Sequence, residues 1–127
     1  MVTHMFRHRL YAATSIGLMA ISGPASADEQ MDEIISSAAP FMHHSCESVL
    51  TEFENDPEQV IQIVRLMAMV SLYNRQIDVV ATVPESSLGS LKDEFVEELK
   101  DACDDDGGKL LAGAVDDAVK EIFEAFE

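Results

Sequence analysis

Two cysteines, two adjacent histidines and a run of aspartates are the residues whose types and spacing could carry chemistry. Cys46 and Cys103 are the only cysteines in the 127-residue chain. In an oxidising compartment an even pair in a small domain is most simply a disulfide, and two cysteines leave one connectivity. The loop so closed spans 57 residues, for which chain entropy gives about 4 kcal/mol of stabilisation. A catalytic or metal-binding thiol pair is the other use for two cysteines. Neither a Cys-x-x-Cys spacing nor a neighbouring base accompanies them.

His43 and His44 are neighbours, so in regular structure they are expected to point differently, and no third zinc ligand is evident. A histidine pair that gains charge in mild acid is the plainer reading. The run Asp101 to Asp106 offers oxygen ligands, but a calcium-binding helix–loop–helix needs glycine at the sixth position and glutamate at the twelfth. Counted from Asp101 these are Asp106 and Ala112. A solvated acidic turn is expected there, with weak cation binding at Asp104 to Asp106 as the alternative. Signatures of hydrolases, nucleotide-binding loops and zinc proteases are absent, so neither an enzyme nor a cofactor is expected.

The elements that would position these residues read as helices. Residues 28–39 are weakly amphipathic through Met31, Ile34 and Ile35, and Pro40 ends them. Ser45 precedes a stripe at Cys46, Val49, Leu50 and Phe53, one face of a helix. Asp56-Pro57-Glu58 starts the next helix, with an N-cap carboxylate and proline at the first helical position. Val60 to Tyr73 is apolar almost all round, as in the central helix of a bundle or one whose exposed face something else covers. Ile77 to Val83 is β-branched and predicts an extended connection. Ser90 with Asp93 predicts the start of another helix, with Leu91, Phe95, Leu99 and Ala102 or Cys103 inward and a loop over 104–108. Leu111, Ala114, Val115, Ala118, Val119, Ile122 and Phe126 trace the last helix. The expected fold is all-α, a small domain of four to five helices with one disulfide.

The first 27 residues read differently. Arg7 and Arg9 precede a short apolar run over 10–21, then Ser22-Gly23-Pro24 and the small residues Ala25-Ser26-Ala27. This order is that of a cleaved signal peptide, and the run is shorter than the roughly 20 apolar residues a spanning helix needs. The expected organisation is a leader over 1–27, a segment over 28–44 that is partly helical or disordered, and a helical disulfide-bonded domain over 45–127. All 24 acidic residues lie after the leader and two of the eight basic ones within it, so the exported chain carries a formal charge of −18. That field argues against nucleic acid and anionic membranes as partners.

The segments SCESVL at 45–50, VIQIVRLMAMVSLY at 60–73, LKDEFVEELKDAC ending on the second cysteine, and GKLLAGAVDDAV at 108–119 together resemble the small periplasmic acid-stress chaperones of the HdeA/HdeB type. The resemblance runs from Ser45 to about Val119. It implies an all-helical fold in which Cys46 and Cys103 form the disulfide, and an ATP-independent periplasmic holdase. Such a protein partly unfolds in acid, exposes apolar surface and binds denaturing client proteins. The candidate client-binding face is then Val60, Ile63, Val64, Met67, Val70, Leu72 and Tyr73, and the same helix makes a homodimer plausible. The alternative is a periplasmic immunity or inhibitor-type protein that binds one specific, basic partner at neutral pH. PESSLGSLKDEFVEEL is similar to segments of one such family, and an acidic surface suits electrostatic steering towards a basic enzyme.

Overall fold

Short polar side chains set several helix starts in this chain by taking the place of missing carbonyl partners. In the computed structural model, which describes residues 28–126, α1 covers 28–38 and a 3-10 turn follows at Ala39–Phe41. Then come α2 (Cys46–Glu52), α3 (Pro57–Asn74), the single turn α4 (Val79–Thr82), α5 (Leu88–Asp105) and α6 (Leu111–Glu124). The signal-peptide reading of residues 1–27 lies outside the described residues. The chain divides into two units, up to Glu33 and from Ile34 onward. The first contributes only helical residues 28–33 to the described chain, and the account below concerns the second. It is all-α with one disulfide, and no strand is present among the described residues.

Ser45 caps α2 in a reciprocal box with Ser48: each backbone N–H donates to the other's hydroxyl, at 2.8 and 2.9 Å. Asp56 caps α3 by accepting the Gln59 N–H at 3.2 Å, with Pro57 in the first turn as expected. Two other starts depart from expectation. Ile77 to Val83 is not extended throughout: Asp78 accepts the Ala81 N–H at 3.2 Å and winds α4. A local side-chain cap outweighs weak β propensity when no neighbouring strand is available. α5 starts at Leu88 and not at Ser90, because a 3-10 turn at Glu85–Ser87 leads directly into it. Ser90 is already inside the helix and donates its hydroxyl to the Ser87 carbonyl at 3.1 Å. At its other end α5 continues through Asp105, so most of the aspartate run is helical and the loop begins only at Asp106.

α6 is the floor of the fold, and α3 is not its central helix. Leu111, Ala114, Val115, Ala118, Val119, Ile122 and Phe123 are all buried, spaced by three and one along a single face. α3, although longer and more apolar in bulk, buries only Ile63, Met67 and Ser71. The difference lies in side-chain size and periodicity. Ala114 and Ala118 let neighbouring backbones approach α6 closely, and both α3 and α5 pack on it. α3 carries its apolar residues on every side, and the core can take one side only.

The start of α2 is fastened to the loop between α5 and α6. Cys46 N donates to Lys109 O at 2.9 Å, Glu47 N to Gly107 O at 3.0 Å, and Leu111 N to His44 O at 2.9 Å. Ser45 and Leu110 form an isolated antiparallel bridge. The Cys46–Cys103 disulfide crosses at the same place, with Cα atoms 5.6 Å apart.

Candidate functional site

The structure divides the candidate client face. Ile63 and Met67 are buried, Val60, Val64, Val70 and Leu72 are half-buried, and Tyr73 is exposed. The apolar side chains that α3 presents to water are Ile61 at 49 %, Met69 at 37 % and Tyr73 at 54 % exposure. With exposed Arg65 they form one line at every fourth residue. Ile61 and Met69 lie outside the candidate face because a helix apolar all round has no phase from which to pick its free side.

One carboxylate holds this helix to the floor. Ser71, buried on α3, donates its hydroxyl to Asp116 Oδ1 at 2.7 Å. One turn on, Arg75 Nε donates to the same oxygen at 2.9 Å and Nη2 donates to Oδ2 at 2.8 Å. The fork of the guanidinium matches the carboxylate. The hydrogen bonds from Arg75, and after them the one from Ser71, hold the Asp116 carboxyl below the usual carboxylate range. Partial loss of solvent works in the opposite direction and is outweighed. Asp116 keeps 44 % of its side chain in solvent, so the pair contributes on the order of 1 kcal/mol after screening.

A groove of about 400 Å³ between α5 and α6 is lined by Glu98, Asp101, Asp105, Asp117 and Glu121, and Glu94 and Glu97 line its continuation. Half-buried Glu98 is pushed above the usual carboxylate range, first by loss of solvent and then by the charges of Glu121, Asp101, Glu97 and Glu94. At the mouth Lys109 pairs with Asp117. The hydrogen bond to Asp117 raises the lysine above its ordinary value against a smaller opposing effect of desolvation. Among the described residues no three histidine, cysteine, aspartate or glutamate side chains are placed to hold a metal ion.

The histidine pair is split. His44 is buried between Phe41 and Phe53, while His43 is exposed with its ring centroid 4.2 Å from that of His44. His44 Nε2 lies 2.8 Å from Glu52 Oε2, and Nδ1 lies 3.0 Å from Ser48 Oγ. The spacing of four between residues 44, 48 and 52 is the signal that could have found this cluster. Serine on one ring nitrogen and carboxylate on the other is the arrangement that activates a nucleophile. Here, however, Ser48 Oγ already accepts the Ser45 N–H, and the amides of Cys46 and Glu47 are bonded to Lys109 and Gly107. No nearby amide is left for an oxyanion, and the cluster acts as the cap of α2.

No known protein family, curated protein or solved structure matches this chain.

Proposed function

We propose that the chain is an exported, periplasmic holdase that opens in acid and binds denaturing proteins without ATP. The observation that carries the reading is the strap on α3: an apolar helix is tied to the floor through Asp116. The folded pKa of this carboxyl lies below its unfolded value, so its contribution to stability is present above the unfolded value and is lost as pH falls through the folded one. Loss therefore falls below about pH 4, where carboxylates protonate. Release of Ser71 and Arg75 would add the buried Ile63 and Met67 to the line Ile61–Met69–Tyr73 that α3 already presents to water. Apolar side chains rich in methionine adapt to varied client surfaces. By then the exported chain would carry six basic side chains, His43, His44 and its amino terminus, about +9 in all, which expands it while the disulfide limits the opening.

Near-UV circular dichroism and a fluorescent apolar-surface dye, followed from about pH 7 to pH 2 beside light scattering from an aggregating client, test the proposal. Loss of tertiary signal, dye binding and suppressed scattering in acid alone are expected. A protein that stays folded and leaves scattering unchanged at every pH is not a holdase. The acidic groove between α5 and α6 supports a second reading, an immunity or inhibitor-type protein with one basic partner at neutral pH. Tight stoichiometric binding of one basic protein at pH 7, with no effect on clients in acid, would select it.

A further inference from the structure

α3 and α5 lie side by side across α6, and the line between them is an apolar furrow. On α3 its wall is Val60, Val64, Ala68 and Leu72, one residue per turn. On α5 the facing residues run the opposite way, from Leu99 through Phe95 to Leu91. Two cavities occupy the furrow a turn apart, of about 270 Å³ at the Leu72 end and about 170 Å³ at the Val60 end. Leu50, 58 % exposed, stands at the second end.

Charge is sorted around α5 in a way the overall −16 conceals. Glu94, Glu97, Glu98 and Asp101 line the groove with α6 on the far side of the helix. The furrow side carries Lys92 and Lys100, neither of which enters an ion pair among the described residues. Lys92 is the one charged side chain lining the larger cavity, whereas Lys100 shares the smaller one with Asp104. An anion is therefore favoured at the Lys92 end only.

We propose that this furrow binds a single long-chain fatty acid, its carboxylate on Lys92 and its tail laid along α3 and α5 towards Leu50. Apolar walls with one placed charge are the usual form of a small-molecule site, and cavities of about 270 and 170 Å³ are small beside a helix about 10 Å across, which favours an extended alkyl chain. The inference is independent of acid opening and is tested where the strap is intact.

The experiment is calorimetric titration of the disulfide-bonded protein at about pH 8, where carboxylic acids are ionised, with octanoate, decanoate and dodecanoate below their micelle concentrations. Saturable one-to-one binding is expected, strengthening about fourfold per added methylene until the furrow is filled. Lys92→Met should weaken dodecanoate binding roughly tenfold or more. Dodecyltrimethylammonium, with the same tail and the opposite head, should bind no better to the parent than dodecanoate binds to K92M. Ala68→Phe, which fills the wall, should abolish binding with the helical circular dichroism unchanged. The proposal is overturned by the absence of saturable heat, or by equal affinity for the cationic surfactant. Undiminished binding to K92M overturns it too, as does binding of an acidic amphipathic peptide where dodecanoate fails.

Discussion

The two seams that α6 makes, with α3 on one side and with α5 on the other, respond to protons in opposite directions. On the α3 side Asp116 is ionised in a fork of donors, and protonation removes a contact. On the α5 side Glu98 is ionised among like charges, and its folded pKa lies above its unfolded value. There the folded state takes up the proton first, so stability rises as pH falls from neutrality. One helix thus serves as a floor whose two junctions are weakened and strengthened by the same acid. The proposed acid opening would therefore have a polarity, with the α3 seam weakened and the α5 seam strengthened.

The largest expected effect bears on whether the seams are separate at all. Replacing Cys46 and Cys103 together by serine should cost about 3–5 kcal/mol, read as a shift of the urea midpoint. If the disulfide braces both seams, tertiary and helical signals will be lost together. A gap between them would show that one seam outlives the other. Asp116→Asn comes next. It should cost about 1–2 kcal/mol at pH 7, because Arg75 loses its anionic partner and Ser71 keeps a weaker one. The cost should fade below about pH 3, where the parent has lost the same charge; a cost independent of pH would break the comparison.

Gln76 offers a control that leaves charge alone. It is the only non-glycine residue with positive φ among the described residues, at 58°, and it ends α3 where Ile77 N bonds Leu72 O at 2.9 Å and Gln76 N bonds Tyr73 O at 3.0 Å. Gln76→Gly should stabilise the fold by about 0.5–1 kcal/mol at every pH, a parallel displacement of the acid transition. The smallest effect is expected from Glu98→Gln, a slight rise in melting temperature at pH 7 that vanishes in acid. A destabilising Glu98→Gln would mean that the α5 side is not under repulsion.

Much of the fold is legible in the sequence where the signal is local. Asp56 and Pro57 announce α3, and the spacing from Leu111 to Ile122 announces α6 together with the face it buries. The cysteine pair needs only counting. Signals that cross the chain are not legible in this way. Asp116 and Arg75 are 41 residues apart, and in a chain with 24 acidic residues nothing local distinguishes the one carboxylate that meets a guanidinium. Of the two places the sequence leaves open for α3, central helix or one with an exposed face, only packing selects the second, since total apolarity does not say which helix others can approach closely. His44 lay between these cases: its partners are near in sequence, but its burial depends on Phe41 and Phe53 closing over it.

The disulfide joins residue 46 to residue 103, so α3, α4 and nearly all of α5 lie within a covalent ring and the 14 residues of α6 lie outside it. A chain that has lost its packing keeps the two walls of the furrow at high effective concentration, because the ends of the ring cannot part. Its floor is a free tail. When all packing has been lost, α6 has then to form as one amphipathic helix and dock against partners that the ring already holds near each other. The position of one covalent bond thus shortens the search by which walls and floor meet again.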